Sequence, residues 1–189
     1  GLSPFGVEAQ RVLRLEKGHV IVGQDTDALS DPISADAEWA VKLEKADFLG
    51  KRELVRIARD RPRSKLVGFK MAHGAPGPEE GMQIVVRSTS RDRPYDIIGW
   101  VTSSRLSPTL GEAIGLCWLP AEQAAHGAPF DVFIGGKDDT FRQWPGAVGS
   151  LDTDADGVRT YRPTSRRWYT DTEQAYQIWK KPARIGRKD

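Results

Sequence analysis

Cysteine is nearly absent from this chain of 189 residues. Cys117 is the only one, so no internal disulfide can form, and that usage points to a reducing, cytoplasmic setting. No apolar run reaches membrane-spanning length. The first eighteen residues carry Glu8, Arg11, Arg14, Glu16 and Lys17, so they read as neither a membrane helix nor a secretory signal. The Gly-x-Gly-x-x-Gly and Walker patterns are missing as well. The Gly-rich stretch 74–81 is broken by Pro76 and Pro78, which disfavours a dinucleotide site within the chain. His19, His73 and His126 have no Cys, Asp or His at metal-ligand spacing, so no metal site is expected. Cys117, inside an apolar run, reads as a small buried side chain rather than a nucleophile. With 39% hydrophobic residues and ordinary counts of 19 Gly and 12 Pro, collagen-like and disordered classes are excluded and a sizeable core is available. The missing initiator Met leads us to expect a processed or excised piece, or one separately encoded part of a larger unit.

What charge there is lies unevenly. The net value is only +2, yet residues 159–189 hold nine basic and three acidic side chains, a local +6 that leaves the rest at −4. With Trp168, Tyr169, Tyr176 and Trp179 interleaved, such a tail suits nucleic acid, an anionic cofactor tail or an acidic subunit. The plainer reading is a solvated tail docked by its aromatics on a neighbouring subunit, and our expectation is no nucleic-acid partner and no membrane.

Along the chain, Val7 to Leu15 has helical spacing after the breakers Pro4 and Gly6. His19 to Val22 is short enough for a strand, and residues 24–36 have loop composition. Trp39, Val41 and Leu43 alternate with Ala40, Lys42 and Glu44, predicting a half-buried strand. Asp47 is placed to cap a helix carrying Leu49, Leu54, Val55 and Ile57, which Pro62 stops. Beyond the charged boundary at 59–64, strand-like segments recur at 66–71, 82–86, 97–102, 114–119 and 129–134. Gly and Pro clusters separate them, as in a small antiparallel barrel or sandwich. The expected fold is α+β followed by a small antiparallel β-barrel of Greek-key type. Its parts would be an α+β unit at 1–62, a barrel domain at 63–143 and an irregular basic tail at 144–189.

Two patterns bear on chemistry. Asp152-x-Asp154-x-Asp156-Gly157 matches half of a calcium loop, but Pro163 stands where the bidentate Glu belongs, so it reads as a plain turn. The more specific constellation is Arg14-Leu15-Glu16-Lys17-Gly18, then Val22-Gly23-Gln24-Asp25-x-Asp27, Trp39-Ala40-Val41 and Asp47-Phe48-x-Gly50-Lys51. A fixed carboxylate with an aromatic and a cation nearby suits a planar heterocycle that bears an N–C–N donor edge and an anionic tail. Glu16 could accept two parallel hydrogen bonds from that edge. On residue type alone, Glu16 reads more readily as a surface side chain paired with Lys17 or Arg14.

These segments, together with Gly99-x-Val101-Thr102-Ser103-Ser104, Ser107-Pro108-Thr109-Leu110-Gly111 and Ile114 to Leu116, resemble the folate-binding family of the glycine-cleavage T-protein, or aminomethyltransferase. The double serine at 103–104, the 107–111 run and Glu80-Gly81-x-Gln83-Ile84-Val85 are most similar to the C-terminal part of the α subunit of heterotetrameric sarcosine oxidase. The resemblance implies a T-protein-like C-terminal half that binds tetrahydrofolate. A one-carbon unit would pass from an imine to that folate, giving 5,10-methylenetetrahydrofolate. Flavin and NAD would sit on partner chains or upstream domains of a multi-chain, flavin-dependent oxidase. It further implies that Glu16 hydrogen-bonds the pterin and that Lys45 stands where the family carries a folate-contacting arginine, keeping the charge but not the bidentate fork. Arg14 and Asp25 fall at motif positions tied to loop geometry. The family's catalytic aspartate belongs to an upstream segment, so no catalytic residue is expected within these residues. Alternatives of different chemistry are a folate-dependent O- or S-demethylase of the same family and a non-catalytic assembly module with a vestigial folate pocket.

Overall fold

The computed structural model describes residues 4–87, 96–135 and 141–148. The half-calcium loop at 152–157 and the basic tail therefore lie outside the described residues. Helix α1 spans Val7–Lys17 and starts after Gly6. It ends at Gly18, whose φ of 74° only glycine adopts cheaply. The amide of Gly18 donates to the Leu15 carbonyl and that of His19 to the Arg14 carbonyl, a Schellman ending that satisfies two orphan acceptors and reverses the chain.

Two expected strands are absent. At 19–26 the chain makes a tight loop: the Gly23 amide donates to the Thr26 carbonyl, and the amides of Gln24 and Asp25 both donate to Ile21. Backbone groups satisfied this locally need no neighbouring strand, and only a single bridge, Val22 to Thr26, remains. Around Trp39 the chain takes a 3-10 turn, Glu38–Ala40. Its alternating pattern finds no sheet edge to join, and Trp39 stays exposed. Helix α2 runs Lys51–Asp60 after Gly50 in the left-handed region, with no side-chain cap. Asp47 instead accepts the amide of its neighbour Phe48.

Six strands then close a barrel: β1 Ser64–Met71, β2 Gln83–Val86, β3 Ile97–Ser107, β4 Glu112–Pro120, β5 Pro129–Gly135 and β6 Phe141–Val148. Their order around the barrel is β1-β4-β3-β2-β5-β6, and β6 pairs back onto β1. Every pairing is antiparallel. β2, β3 and β4 form a meander and β1 returns beside β4, which is the expected Greek key. β3 is longer than its apolar run suggested, and β6 continues to Val148, past the start of the expected irregular tail at 144.

Period-2 alternation sorts β4 onto two cores. Ala113, Cys117 and Leu119 point into the barrel with Phe69, Met71, Ile84, Val101, Phe130 and Val132. Ile114, Leu116 and Trp118 face outward, under Leu15 of α1 and Ala35 of the preceding loop. That loop is fastened by Asp31, whose carboxylate accepts the amides of Ile33 and Ser34, while the Ser34 carbonyl accepts the Leu66 amide at 2.9 Å. Covered on both faces, β4 is buried over seven successive residues. The second core fixes the C-terminal turn of α1 against β3 and β4, and there the polar residues gather.

Candidate functional site

The α1–barrel junction is organised by a buried ion pair. Arg14 Nη1 donates to Asp25 Oδ2 at 2.6 Å, with the aspartate side chain 0% exposed and the arginine 8%. Two unit charges so far from water require full hydrogen bonding. Asp25 Oδ2 also accepts the Ile21 amide at 2.7 Å. Its Oδ1 accepts from the Thr102 hydroxyl at 2.8 Å and from the Ser103 hydroxyl. Trp118 Nε1 donates to the Asp25 carbonyl at 2.8 Å. Arg14 Nη2 donates to Ser103 Oγ at 2.6 Å and Nη1 to the His19 carbonyl at 3.2 Å, while its Nε is buried without a partner. A β-bulge between Val101 and Ser103 breaks the alternation of β3, allowing both adjacent hydroxyls to reach one carboxylate oxygen. Arg14 and Asp25 thus hold loop 19–26 on the barrel, the geometric role their motif positions suggested.

Glu16 lies two residues further along α1 and is half-buried. It pairs with neither Lys17 nor Arg14. Its Oε1 accepts from the Ser107 hydroxyl at 2.5 Å, and among the described residues nothing bonds Oε2. Ser107 is the last residue of β3 and fully buried. Its hydroxyl oxygen accepts the Leu110 amide at 3.1 Å, and its carbonyl accepts the Gly111 amide at 2.8 Å. Beside Glu16, burial pushes the Lys17 ammonium down to about 8. His19 is also held below its ordinary value, by burial first and by Lys17 second. Lys17 and His19 thus sit at the C-terminal end of α1 in surroundings that disfavour their positive charge.

Lys45 stands apart. It lies exposed in the turn before α2, where its carbonyl accepts from the Lys51 ammonium, and among the described residues no hydrogen bond or ion pair joins it to Glu16. Cys117 is buried inside the barrel, as its apolar setting suggested, and burial pushes its thiol upward. Among the described residues no helix is long and apolar enough to cross a membrane. The hydroxyls of Thr102, Ser103 and Ser107 and the indole of Trp118 were not anticipated as site-forming groups. The available signal was the Thr-Ser-Ser run in a strand otherwise fit for a core, since small hydroxyls there need a buried acceptor.

Two family profiles match the chain: the GCVT N-terminal domain over residues 1–45 and the Glycine cleavage T-protein C-terminal barrel domain over residues 64–144. The chain belongs to the glycine-cleavage T-protein family. It is 36% identical to an aminomethyltransferase of Halothermothrix orenii over 140 residues, covering 71% of this chain and 35% of that protein. It is likewise 36% identical to an aminomethyltransferase of Chlorobaculum parvum over 151 residues, covering 80% of this chain and 38% of the relative. The chain thus spans well under half the length of these curated relatives. The crystal structure of glycine cleavage system aminomethyltransferase T from Bartonella henselae matches with a TM-score of 0.65 over 83% of this chain and 40% of that one, at 24% identity, a likeness of fold.

Proposed function

We propose that this chain supplies the tetrahydrofolate-binding wall of a folate-dependent enzyme that moves a one-carbon unit, with Glu16 as the residue that reads the pterin. The observation that carries the proposal is the state of the Glu16 carboxylate: one oxygen is tethered by Ser107, while among the described residues the other has no hydrogen-bond donor. A carboxylate held this way suits a planar N–C–N donor edge, because each of its oxygens can take two hydrogen bonds. Tetrahydrofolate, when bound, supplies the nitrogens that capture the one-carbon unit. The chain's own part is to orient the ring through Glu16 and to keep the junction rigid through Arg14, Asp25, Thr102 and Ser103. Lys45, exposed in the turn before α2, would meet the anionic end of the ligand.

The one-carbon donor we favour is an imine made by a flavin-bearing oxidase on another chain or segment, as in sarcosine oxidase. Supporting it are the residues similar to that subunit, Ser103-Ser104 and 107–111. The product would be 5,10-methylenetetrahydrofolate, with the amine leaving and carrying away the two nitrogen protons. Flavin absorbance in the purified assembly separates this donor from a methyl ether or sulfonium, which needs no flavin.

Titration calorimetry with tetrahydrofolate on the assembly that carries the chain tests the Glu16 reading. Glu16→Gln removes a charge-assisted acceptor contributing about 1.5–3 kcal/mol, so affinity falls roughly 10- to 150-fold while the unfolding midpoint holds. Unchanged affinity refutes it.

A further inference from the structure

We infer that Ser107 is a positioning residue for Glu16. The inference rests on the reading of Glu16 just given and goes beyond it by assigning a task to the β3–β4 turn. A hydroxyl carries one proton and two lone pairs. The Leu110 amide occupies the acceptor side of Ser107 Oγ at 3.1 Å, and the Glu16 carboxylate lies at 2.5 Å on the donor side. Ser107 is fully buried, so water does not compete for either side, and its own backbone is pinned by the Gly111 amide. The single proton is therefore committed to Glu16 Oε1.

Glu16 needs such a partner. It sits in the last turn of α1, half-buried, on a side chain with three rotatable bonds, beside a Lys17 whose charge burial already disfavours. The tether comes from a residue 91 positions away in sequence, on the opposite side of the α1–barrel contact. It selects one carboxylate orientation before any ligand arrives, and freezing a rotamer-rich side chain in advance raises affinity by up to roughly tenfold. Arg14 does not take this role: its Nη1 and Nη2 serve Asp25, Ser103 and the His19 carbonyl, and it stands two positions back on the helix, where side chains do not face each other.

The experiment is a double-mutant cycle between Ser107→Ala and Glu16→Gln, read as tetrahydrofolate affinity by calorimetry in the intact assembly that carries the chain, with urea unfolding recorded for each variant. Ser107→Ala weakens binding about tenfold when Glu16 is present and has little effect once Glu16 is Gln. A merely structural serine would weaken both backgrounds equally. Equal losses, or wild-type affinity in Ser107→Ala alongside a weakened Glu16→Gln, overturn the inference and leave the Glu16 reading standing. Wild-type affinity in Glu16→Gln removes the Glu16 reading and the inference with it. Ser107→Cys, close in shape but with a weak donor, repeats the cycle should the alanine variant fold poorly, with the same outcomes deciding.

Discussion

Removing either member of the Arg14–Asp25 pair should destabilise the barrel far more than removing an exposed ion pair, and by unequal amounts. A buried pair that loses one partner leaves an uncompensated charge and costs about 3–5 kcal/mol, against a total near 5–15 kcal/mol for a domain. The two losses differ because the partners are differently supported. In Arg14→Met the Asp25 carboxylate keeps the Ile21 amide and the hydroxyls of Thr102 and Ser103. The change also deletes the buried, unpartnered Arg14 Nε, a group that costs about 1–3 kcal/mol to leave unsatisfied. In Asp25→Asn the charged guanidinium stays buried with neutral acceptors only. The new amide NH2 faces either the Ile21 amide, a donor, or the Thr102 and Ser103 hydroxyls, which must then turn from donating to accepting. Arg14→Met therefore falls near 3 kcal/mol and Asp25→Asn near 5, the latter lowering Tm by about 10–20 °C in a protein of this size. In the double variant the charges vanish together, and the loss is smaller than the sum by about 1–3 kcal/mol. Urea unfolding of the four forms measures this, with Glu53→Gln as control: its pair with Arg56 is exposed on both sides and should leave the midpoint unchanged. The reasoning is refuted if Arg14→Met proves the worse of the two, or if both match the control.

Two further outcomes follow from the barrel interior. A Cβ on Gly115 would overlap the Ser103 carbonyl and come within 2.5 Å of the Phe69 ring, whereas one on Gly77 meets only Ala113 Cβ and Ser104 Oγ at 3.7 Å. Gly115→Ala should cost the ~1–3 kcal/mol of an overpacked core or more, and Gly77→Ala close to nothing; equal urea midpoints would refute the packing. The Cys117 thiol stays protonated in the fold but ionises near its ordinary value of 9.0 when unfolded. With the folded value raised, its contribution is complete below pH 9 and lost as pH rises beyond it, about 1.4 kcal/mol by pH 10. Stability curves of wild type and Cys117→Ala should converge by that amount between pH 8 and 10, and parallel curves would show that the thiol is not buried as described.

The legible parts of the sequence were those where one physical demand acts alone. β4 reads as a strand because both faces are covered, so its run 113–119 is apolar or glycine throughout. α1 reads as a helix because its face and its Gly18 ending agree. β6 was hidden by Pro145 and Gly146, which signal a turn in isolation. In the barrel Gly146 is required, since a Cβ there would lie 2.7 Å from the Phe130 ring, and the Pro145 carbonyl accepts the Ala72 amide at 3.0 Å. The alternation at 39–43 misled because periodicity describes a face and not the partner that covers it.

The site was legible in its residue types and not in its pairings, because both pairings join segments that only the fold brings together. Local spacing offers Glu16 no partner on its own helix, because Arg14 and Lys17 stand at i−2 and i+1, where side chains do not face each other. Asp25, buried by the return of loop 19–26, takes Arg14 because a buried carboxylate without a cation is far costlier than an exposed one. Glu16 instead meets the hydroxyl at the end of β3, a contact 91 residues distant that no local pattern reports. The pairing that fixes the fold and the carboxylate left open for a ligand thus both rest on contacts that close only when loop 19–26 and β3 pack against α1.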